Sequence, residues 1–393
     1  MKTSRTILCV LSFLLSSAVT FADDQPSFQR QTIDNEIKIG YGLAIGRVDK
    51  DELLDILLAD KKEIVWYQNP GTASEPWKKH VIARNLTAKD NVCLAARDIT
   101  GDGLVEIAVG ANWNPGNTTD GSVSGTSFYL QRPEDPTKPW KPIPLTPHEP
   151  TTHRMHWVKN EGGTIKLAVL PLHGVGNKSA KGDNNVQISV FEIKDGMPEL
   201  AEKIDTEMHA THNFGLAQDD AFGDQEFMVV AGAEGYLATL LSGESIQLVD
   251  ESQSKGAGEV RRYPIEKRAF VGIEPMHGTD VVLYQSDDGE QWKKSVIDTT
   301  LNAGHALAAG DLFGSDQPEI VAGWRGKDAQ KKVGIKIYSR AGESGDWTTH
   351  LLDDNQIACE DLKMVDLNGD DKLDIVAAGR GTQNVVVYWN TRE

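Results

Sequence analysis

Short apolar runs alternate with acidic and glycine-containing turns along most of the chain. A run ending in Asp is followed by a second run at residues 94–98 (LAARD) and 106–110 (EIAVG), 307–311 (LAAGD) and 319–323 (EIVAG), and 362–366 (LKMVD) and 374–378 (DIVAA). Runs of this length, rich in Val, Ile and Ala and bounded by Gly and Asp, indicate β-strands. No stretch sustains a 3.6-residue period, so the pattern predicts an all-β chain.

A second recurring segment, here called the outer phrase, begins with a large residue, continues as a run of alternating apolar and polar residues and ends at a small or acidic residue, its stop. Its strong copies are residues 77–83 (WKKHVIA), 140–146 (WKPIPLT), 292–298 (WKKSVID) and 347–353 (WTTHLLD); weaker copies are 28–34 (FQRQTID), 199–205 (ELAEKID) and 244–250 (ESIQLVD). Seven copies indicate seven similar units of four antiparallel strands, with this phrase outermost. The predicted units are 38–83, 91–146, 152–205, 211–250, 259–298, 304–353 and 358–391.

The last predicted unit contains only three strands, whereas the copy at residues 28–34 precedes the first unit. If this early strand completes the last unit, the two chain ends pair and no long sheet edge is left exposed. An open solenoid would not need the extra strand. The pattern therefore predicts one domain over residues 23–393, a seven-bladed β-propeller closed by its N-terminal strand.

Residues 1–22 resemble a secretory signal peptide. Lys2 and Arg5 form a positive start, residues 7–15 are apolar, and Ala22 precedes an acidic stretch. The apolar run is too short to span a bilayer. We therefore expect a secreted or periplasmic protein without a membrane span, the alternative being that residues 1–22 remain as an uncleaved anchor.

Charge and cysteine content narrow the classes of partner. The formal net charge is −18, and loss of Lys2 and Arg5 with the leader changes it to −20. Such a chain repels nucleic acid and anionic membranes, so neither is an expected partner. Cys93 and Cys359 belong to units two apart and do not make a disulfide framework, so two free thiols are expected.

Two acidic turns have the spacing of calcium loops. Calcium requires several oxygen ligands, and a turn between two strands can bring alternate residues onto one ion. The predicted ligands are Asp366, Asn368, Asp370, Asp374 and the carbonyl of Lys372 in the last unit, and Asp98, Thr100, Asp102 and Glu106 in the second. The expected role is structural, and the alternative is an acidic turn without metal.

Eight of the ten histidines map to the opposite face of the ring; His80 and His350 belong to outer strands. In antiparallel sheets the start of the first strand lies beside the end of the second. The first-strand starts carry His153, His156, His212, His305, Glu360 and Asp361, and the second-strand ends carry Trp113, His173, Glu234, His277, Trp324, Arg325 and Arg380. Loops that lead to the same rim add His148, Glu149 and His209.

Such a group of imidazoles, acids and arginines can bind an anion, hold a divalent metal or transfer protons near neutral pH. Alternatively, the polar side chains hydrogen-bond neighbouring loops at blade junctions. No fixed ligand spacing is visible, because His153 and His156 would face opposite ways on a regular strand. Trp113 and Trp324 either stack on sugar rings or pack between blades.

The acidic loops resemble the FG-GAP, or VCBS, repeats of secreted propellers. More narrowly, the chain resembles bacterial propellers related to the N-terminal domain of aldos-2-ulose dehydratase/isomerase. The segments that carry this resemblance are 147–157 (PHEPTTHRMHW), 170–174 (LPLHG), 274–278 (EPMHG), 302–307 (NAGHAL), 322–326 (AGWRG) and 358–362 (ACEDL). It implies a carbohydrate lyase acting on keto-sugars such as 1,5-anhydrofructose. The cupin domains of that enzyme have no counterpart in this sequence, so its isomerase step is not expected.

The first hypothesis is thus a sugar dehydratase, a carbon–oxygen lyase. His153, His156, His212 and His305 are the candidate acids and bases, Glu360 would orient a histidine, and Arg325 or Arg380 would stabilise an enolate. The candidate substrate-binding residues are Trp113, His173, His277, Trp324, Arg380 and Asp361. The second hypothesis is a non-catalytic calcium-binding propeller for a glycan or protein partner, and the third is a purely structural module.

Overall fold

The computed structural model describes residues 27–219, 223–265, 267–315, 317–342 and 345–392. The predicted signal peptide, residues 1–22, lies outside the described residues. Within the described ranges, no helix is long and apolar enough to cross a membrane.

The described residues form seven four-stranded antiparallel sheets, which are the blades of a propeller. Blade 1 contains β2 (Gly42–Gly46), β3 (Asp55–Ala59), β4 (Glu63–Gln68) and β5 (Lys78–Arg84); blade 2 contains β6 (Cys93–Arg97), β7 (Glu106–Gly110), β8 (Ser127–Gln131) and β9 (Lys141–Pro144). Blade 3 contains β10 (Thr152–Lys159), β11 (Ile165–Pro171), β12 (Gln187–Lys194) and β13 (Met197–Asp205); blade 4 contains β14 (Thr211–Ala217), β15 (Phe227–Gly232), β16 (Gly235–Thr239) and β17 (Ser245–Val249). Blade 5 contains β18 (Glu259–Arg262), β19 (Arg268–Glu274), β20 (Asp280–Ser286) and β21 (Lys293–Asp298); blade 6 contains β22 (Gly304–Gly310), β23 (Glu319–Trp324), β24 (Gly334–Arg340) and β25 (Trp347–Asp354). Blade 7 contains β26 (Cys359–Val365), β27 (Asp374–Gly379), β28 (Asn384–Asn390) and, from the chain start, β1 (Phe28–Asp34).

The two ends of the chain meet in blade 7, whose strand order is β1-β28-β27-β26. The antiparallel pairing of β1 with β28 extends from Phe28 opposite Asn390 to Asp34 opposite Val385. The Trp389 indole N–H also donates to the Gln31 side-chain oxygen across 2.9 Å. The predicted all-β seven-bladed propeller, closed by an N-terminal strand that completes the last blade, is confirmed.

The hydrophobic core is divided among the blade junctions. Seven buried clusters each combine side chains from two adjacent blades. In one of them, Trp66 of blade 1 packs with Ile107 and Trp140 of blade 2. Because each sheet is covered on both faces, strands such as β3 are buried throughout and have no polar face. This packing fixes the seven first strands around a central channel.

The acidic stop of the outer phrase connects neighbouring blades. At three junctions, a tyrosine hydroxyl on the third strand of one blade donates to an Asp on the outer strand of the previous blade. The pairs are Tyr67 with Asp34 (2.6 Å), Tyr338 with Asp298 (2.7 Å) and Tyr388 with Asp353 (2.7 Å). At the junction of blades 1 and 2 both partners are missing. The outer phrase of blade 1 ends at Ala83 instead of Asp, and Leu130 of β8 occupies the strand position that Tyr67 has in β4. The aspartate and the tyrosine therefore act together at these three junctions, whereas Asp205 and Asp250 bond to side chains within 20 residues of them in the sequence.

Cys93 and Cys359 are buried and unpaired. Burial raises the pKa of the Cys93 thiol to about 12. The expectation of two free thiols is confirmed, and both thiols belong to the packing of the inner strands.

Candidate functional site

Four of the inner strands begin with a β-bulge. The register shifts between Thr152 and Arg154, Thr211 and Asn213, Gly304 and Ala306, and Cys359 and Asp361. The residues at these four shifts are His153, His212, His305 and Glu360. The inner strands of blades 1, 2 and 5 pair without such a shift. A bulge re-aims the side chain it carries, so these four residues share one local geometry at the same end of the channel.

The three histidines among these four residues are held by the same kind of hydrogen bond. The Nδ1 atoms of His153, His212 and His305 each lie 2.7 Å from a backbone oxygen of the following blade, belonging to His212, Gly258 and Glu360 respectively. A carbonyl oxygen can only accept a hydrogen bond, so Nδ1 carries the proton. In the neutral ring, Nε2 then presents its lone pair to the channel mouth.

Three imidazoles converge at this mouth. Ring nitrogens of His212, His277 and His305 lie within 4.8 Å of one another, and among the described residues this is the one group of three His, Cys, Asp or Glu side chains with ligand atoms so placed. His212 and His305 are 1% and 4% exposed. His277 reaches the group from the exposed turn between β19 and β20, with a φ of 53°. The His212 Nε2 atom is buried and has no hydrogen-bond partner.

The surroundings of two of these rings, His277 and His305, favour the uncharged form, because both pKa values are lowered. Burial, and then the positive charge of Arg325, lower the pKa of His305 well below its ordinary value. Burial and the neighbouring His212 lower the pKa of His277 to about 3. A neutral imidazole can bind a metal ion without first losing a proton. The group therefore has the donor type of a divalent metal site, and two of its three rings are held in the uncharged form.

His153 extends the group toward blade 3. Its ring lies 4.6 Å from that of His212 and stacks on Trp113 at 5.0 Å. The Nε2 atom of His153 accepts a hydrogen bond from the Arg154 guanidinium across 3.0 Å. Burial, and then the charge of Arg154, lower the pKa of His153 well below its ordinary value. Trp113 thus supports a histidine with one of its faces.

Glu360 lies at the same mouth but does not orient a histidine with its carboxylate. That carboxylate is 2% exposed and binds Arg325 at 2.5 Å and Arg380 at 3.1 Å. The backbone oxygen of Glu360 holds His305 instead. The predicted orienting role therefore belongs to the main chain, and the side chain fixes two arginines above the channel.

Below the histidines, the channel contains a cavity of about 510 Å³ lined by the inner strands. Asp361 lies here, where its carboxylate binds Lys363 at 2.8 Å and accepts the N–H of Leu43. His156 also lines the cavity, against Phe214 at 4.8 Å. Burial and the nearby Arg261 lower the pKa of His156 to about 3.

The prediction that His153 and His156 face opposite ways assumed a regular strand, and β10 is not regular. Its bulge lets adjacent His153 and Arg154 contact each other. Farther along, Met155 and Trp157 are buried in the core, whereas His156 between them is only partly buried. A one-residue shift in register therefore decides which side chains reach the channel.

Two predicted substrate-binding residues, Trp324 and His173, do not contact the histidine group. Trp324 is 2% exposed, packs in the core between blades 5 and 6, and donates its indole N–H to the Lys332 carbonyl. The suggestion that Trp324 stacks on a sugar is wrong, because its face is already covered. His173 pairs its backbone with Ala210, and among the described residues no ring contact joins it to the histidine group.

The sequence patterns did not indicate the polar and charged layer of the channel, which includes Arg154, Asn213, Glu259, Arg261 and Lys363. The Glu259 carboxylate accepts from the Asn213 amide at 2.5 Å and from Arg261 at 3.3 Å. Arg154, Asn213, Glu259 and Arg261 lie among the first three residues of their inner strands, and this position is the sequence signal for them; Lys363 lies farther along β26.

In each acidic turn, the last predicted calcium ligand has a structural role that does not require calcium. The carboxylate of Asp374 accepts the N–H groups of Leu367 and Asn390, and Glu106 accepts the N–H of Ile99 and binds Arg132. The equivalent Asp55 does the same in blade 1, which lacks a full acidic loop. This position braces the strand turn in each case. Calcium at the loops of blades 2 and 7 stays a prediction.

No protein-family model and no curated protein sequence matches the chain. Solved structures match it in shape. Virginiamycin B lyase from Staphylococcus aureus aligns with a TM-score of 0.58 and 12% identity, over 92% of this chain and 99% of that chain. BBS1N in complex with ARL6DN aligns with a TM-score of 0.59 and 9% identity, over 94% of this chain and 98% of that chain.

The rhamnogalacturonan lyase YesW aligns with a TM-score of 0.51 and 12% identity, over 95% of this chain and 74% of that chain. The common feature is the fold. At such identities the likeness carries no site residue from one protein to another. The resemblance to FG-GAP repeats and to the dehydratase propellers is not supported by a family model and stays a prediction.

Proposed function

We propose that this chain is a carbon–oxygen lyase of the sugar dehydratase type, which acts on a keto-sugar at the histidine-bearing mouth with a divalent metal bound by His212, His277 and His305. The observation that carries the proposal is the convergence of these three imidazoles at the open end of a channel. Three histidine ligands with a further position open to substrate are typical of catalytic metal sites.

The anchoring bonds favour metal binding by orienting the rings. Nδ1 of His212 and of His305 is already used by a backbone carbonyl, so Nε2 is the free nitrogen in both. Such an outer hydrogen bond is the usual companion of a metal-binding histidine. The buried Nε2 of His212 has no other partner, and an unsatisfied buried acceptor is costly.

Elimination from a keto-sugar requires a base at the carbon beside the ketone and a proton for the departing oxygen. The bound metal would polarise the ketone oxygen. His153 is then the candidate base, since it is the anchored histidine of the mouth outside the metal group. Its Nε2 lone pair accepts from Arg154 in this structure, so Arg154 would have to release it when the substrate binds. The C–H proton passes to His153, the C–O bond breaks, and water leaves with a proton returned to its oxygen.

The fold comparisons support this proposal only in part. Two of the compared structures are lyases, but BBS1N has the same fold and is described in a complex with ARL6DN. One fold commonly serves unrelated functions. The proposal therefore depends on the histidine group, and a non-catalytic propeller that binds a glycan or protein partner is the competing outcome of the tests below.

The metal site is tested by titrating metal-stripped protein with zinc and with manganese, followed by elemental analysis. The wild type is expected to bind one ion per chain. His277→Ala should weaken binding by at least about tenfold, since it removes one of three ligands. His277 is exposed, so the variant is expected to fold. His350→Ala, in the outer strand β25, is the matched control; equal binding by both variants would exclude the site.

Activity is tested with 1,5-anhydrofructose and with 3-keto-glycosides, following the absorbance of the enone product. The metal-loaded wild type is expected to turn over at least one of them, and His153→Gln to lose turnover while keeping the metal. Absence of any product would remove the lyase proposal for these substrates. Glycan or partner binding that survives His153→Ala combined with His212→Ala would instead favour the non-catalytic alternative.

A further inference from the structure

The channel has an excess of positive charge, although the chain as a whole carries −18. Apart from the ion pair of Arg97 with Glu226, three carboxylates are matched by five cationic side chains at and below the histidine mouth. The carboxylates belong to Glu259, Glu360 and Asp361, and the cations to Arg154, Arg261, Arg325, Lys363 and Arg380. This excess is local, so it indicates a function at the channel and not a general property of the surface.

The pairing shows where the excess lies. Arg261 is paired with Glu259, and Lys363 with Asp361, at 3.3 and 2.8 Å. Arg325 and Arg380 share the single carboxylate of Glu360. Arg154 hydrogen-bonds to the ring and backbone oxygen of His153, and no carboxylate of the described residues lies within ion-pair distance of it. Glu259, already paired with Arg261, interacts with Arg154 only at longer range.

Arg154 occupies a position that a ligand can reach. Its side chain lines the 510 Å³ cavity together with His305 and Glu360, which also belong to the mouth. A cavity of this size accommodates a small sugar. A partly buried guanidinium without a carboxylate is a strong site for an oxyanion, because it offers two parallel N–H donors in a region of reduced dielectric.

We propose that the substrate is an acidic sugar, whose carboxylate is bound by Arg154 while its keto group lies at the histidine mouth. This inference rests on the proposed function for the identity of the reacting group. It narrows the substrate from keto-sugars in general to those that carry a carboxylate. The bond from Arg154 to His153 Nε2 places the anion site directly beside the candidate base.

The test measures binding by calorimetry to metal-free protein, so it does not depend on turnover. D-Glucuronate and D-glucose are a matched pair that differ by the carboxylate, and inorganic phosphate tests for a general oxyanion site. The wild type is expected to bind glucuronate at least about tenfold more tightly than glucose, the effect of one charge-assisted hydrogen-bonded pair. Raising the ionic strength should reduce the difference.

Arg154→Gln should abolish the preference for glucuronate, and Arg154→Lys should restore part of it. Arg84→Gln is the control, since it removes the same charge from the exposed strand β5. Equal binding of glucuronate and glucose by the wild type, or an unchanged preference in Arg154→Gln, overturns the inference. Phosphate binding as tight as that of glucuronate, with the same dependence on Arg154, also overturns it in favour of an inorganic anion site.

The two proposals fail separately. If glucuronate binds through Arg154 but no keto-sugar or keto-sugar acid is turned over, the result supports the anion site and contradicts the proposed lyase activity. If neutral keto-sugars are turned over while glucuronate and glucose bind equally, the result supports the lyase activity and contradicts the proposal of an acidic substrate.

Discussion

At the residue scale, the site is shaped by main-chain oxygens as much as by side chains. The backbone of each following blade fixes the tautomer of His153, His212 and His305 through a 2.7 Å bond. A backbone oxygen is present whatever the side chain, so these rings keep their orientation when neighbouring side chains change. The functional nitrogen is thus selected by the junction between blades.

Glu360→Gln separates the two roles of that position. The backbone oxygen that holds His305 is retained, so metal stoichiometry is expected to stay unchanged in the binding assay. The two ion pairs with Arg325 and Arg380 are lost, which should lower the free energy of unfolding in urea by about 2 kcal/mol. Loss of the metal from this variant would show that the carboxylate, and not the carbonyl, orients the site.

At the element scale, the blades are joined by pairs of a third-strand tyrosine and an outer-strand aspartate. The Asp34 pair also includes Lys79, and the Asp298 pair includes Lys336, each with a charged hydrogen bond of about the same length. Despite burial, the bonds to lysine and tyrosine lower the pKa of both carboxyls, so they stay ionised. Side chains of one blade therefore fix the angle of the next.

Tyr388→Phe tests this connection. Both Tyr388 and Asp353 are 1% exposed, so removing the hydroxyl takes a bond from a buried carboxylate, and the free energy of unfolding in urea should fall by about 1–2 kcal/mol. Tyr129→Phe in β8 is the matched control, because within the described residues its hydroxyl pairs with no carboxylate. Equal losses in the two variants would assign the effect to the tyrosine ring alone.

At the scale of the whole molecule, closure of the ring of blades brings the residues of the histidine mouth together. The pairing of β1 with β28 joins the chain ends and leaves the first strands converging on one channel. His153 and Glu360 are remote in sequence, yet both contact the same histidine group, through His212 and His305 respectively. Residues of five blades therefore share one mouth.

Closure is tested with two truncations. A chain that begins at Ser27 keeps β1 and should unfold like the full chain, whereas one that begins at Asn35 loses the whole β1–β28 ladder. The second should be less stable in urea by at least about 3 kcal/mol, the sum of several backbone hydrogen bonds, and should self-associate through the exposed edge of β28 in light scattering. Identical behaviour of the two would show that closure does not depend on β1.

The sequence by itself determined the number of blades, their limits and the closing strand. These features repeat in contiguous segments, and alternation, turn residues and the tyrosine-facing Asp stop act over short distances. It also predicted that most histidines lie on one face, because strand direction fixes the face at which each strand begins; the structure brings His153, His212, His277 and His305 together there. The predicted units agree with the observed blades for this reason.

The tertiary structure alone decided which of those histidines meet. Bulges at His153, His212 and His305 shift the register by one residue, and no local signal marks them. Burial of Trp324 and the absence of a carboxylate beside Arg154 depend on neighbours from other blades. A metal site or an anion site requires side chains from distant segments to lie within a few ångströms of one another. Those distances are set only when the seven blades pack together.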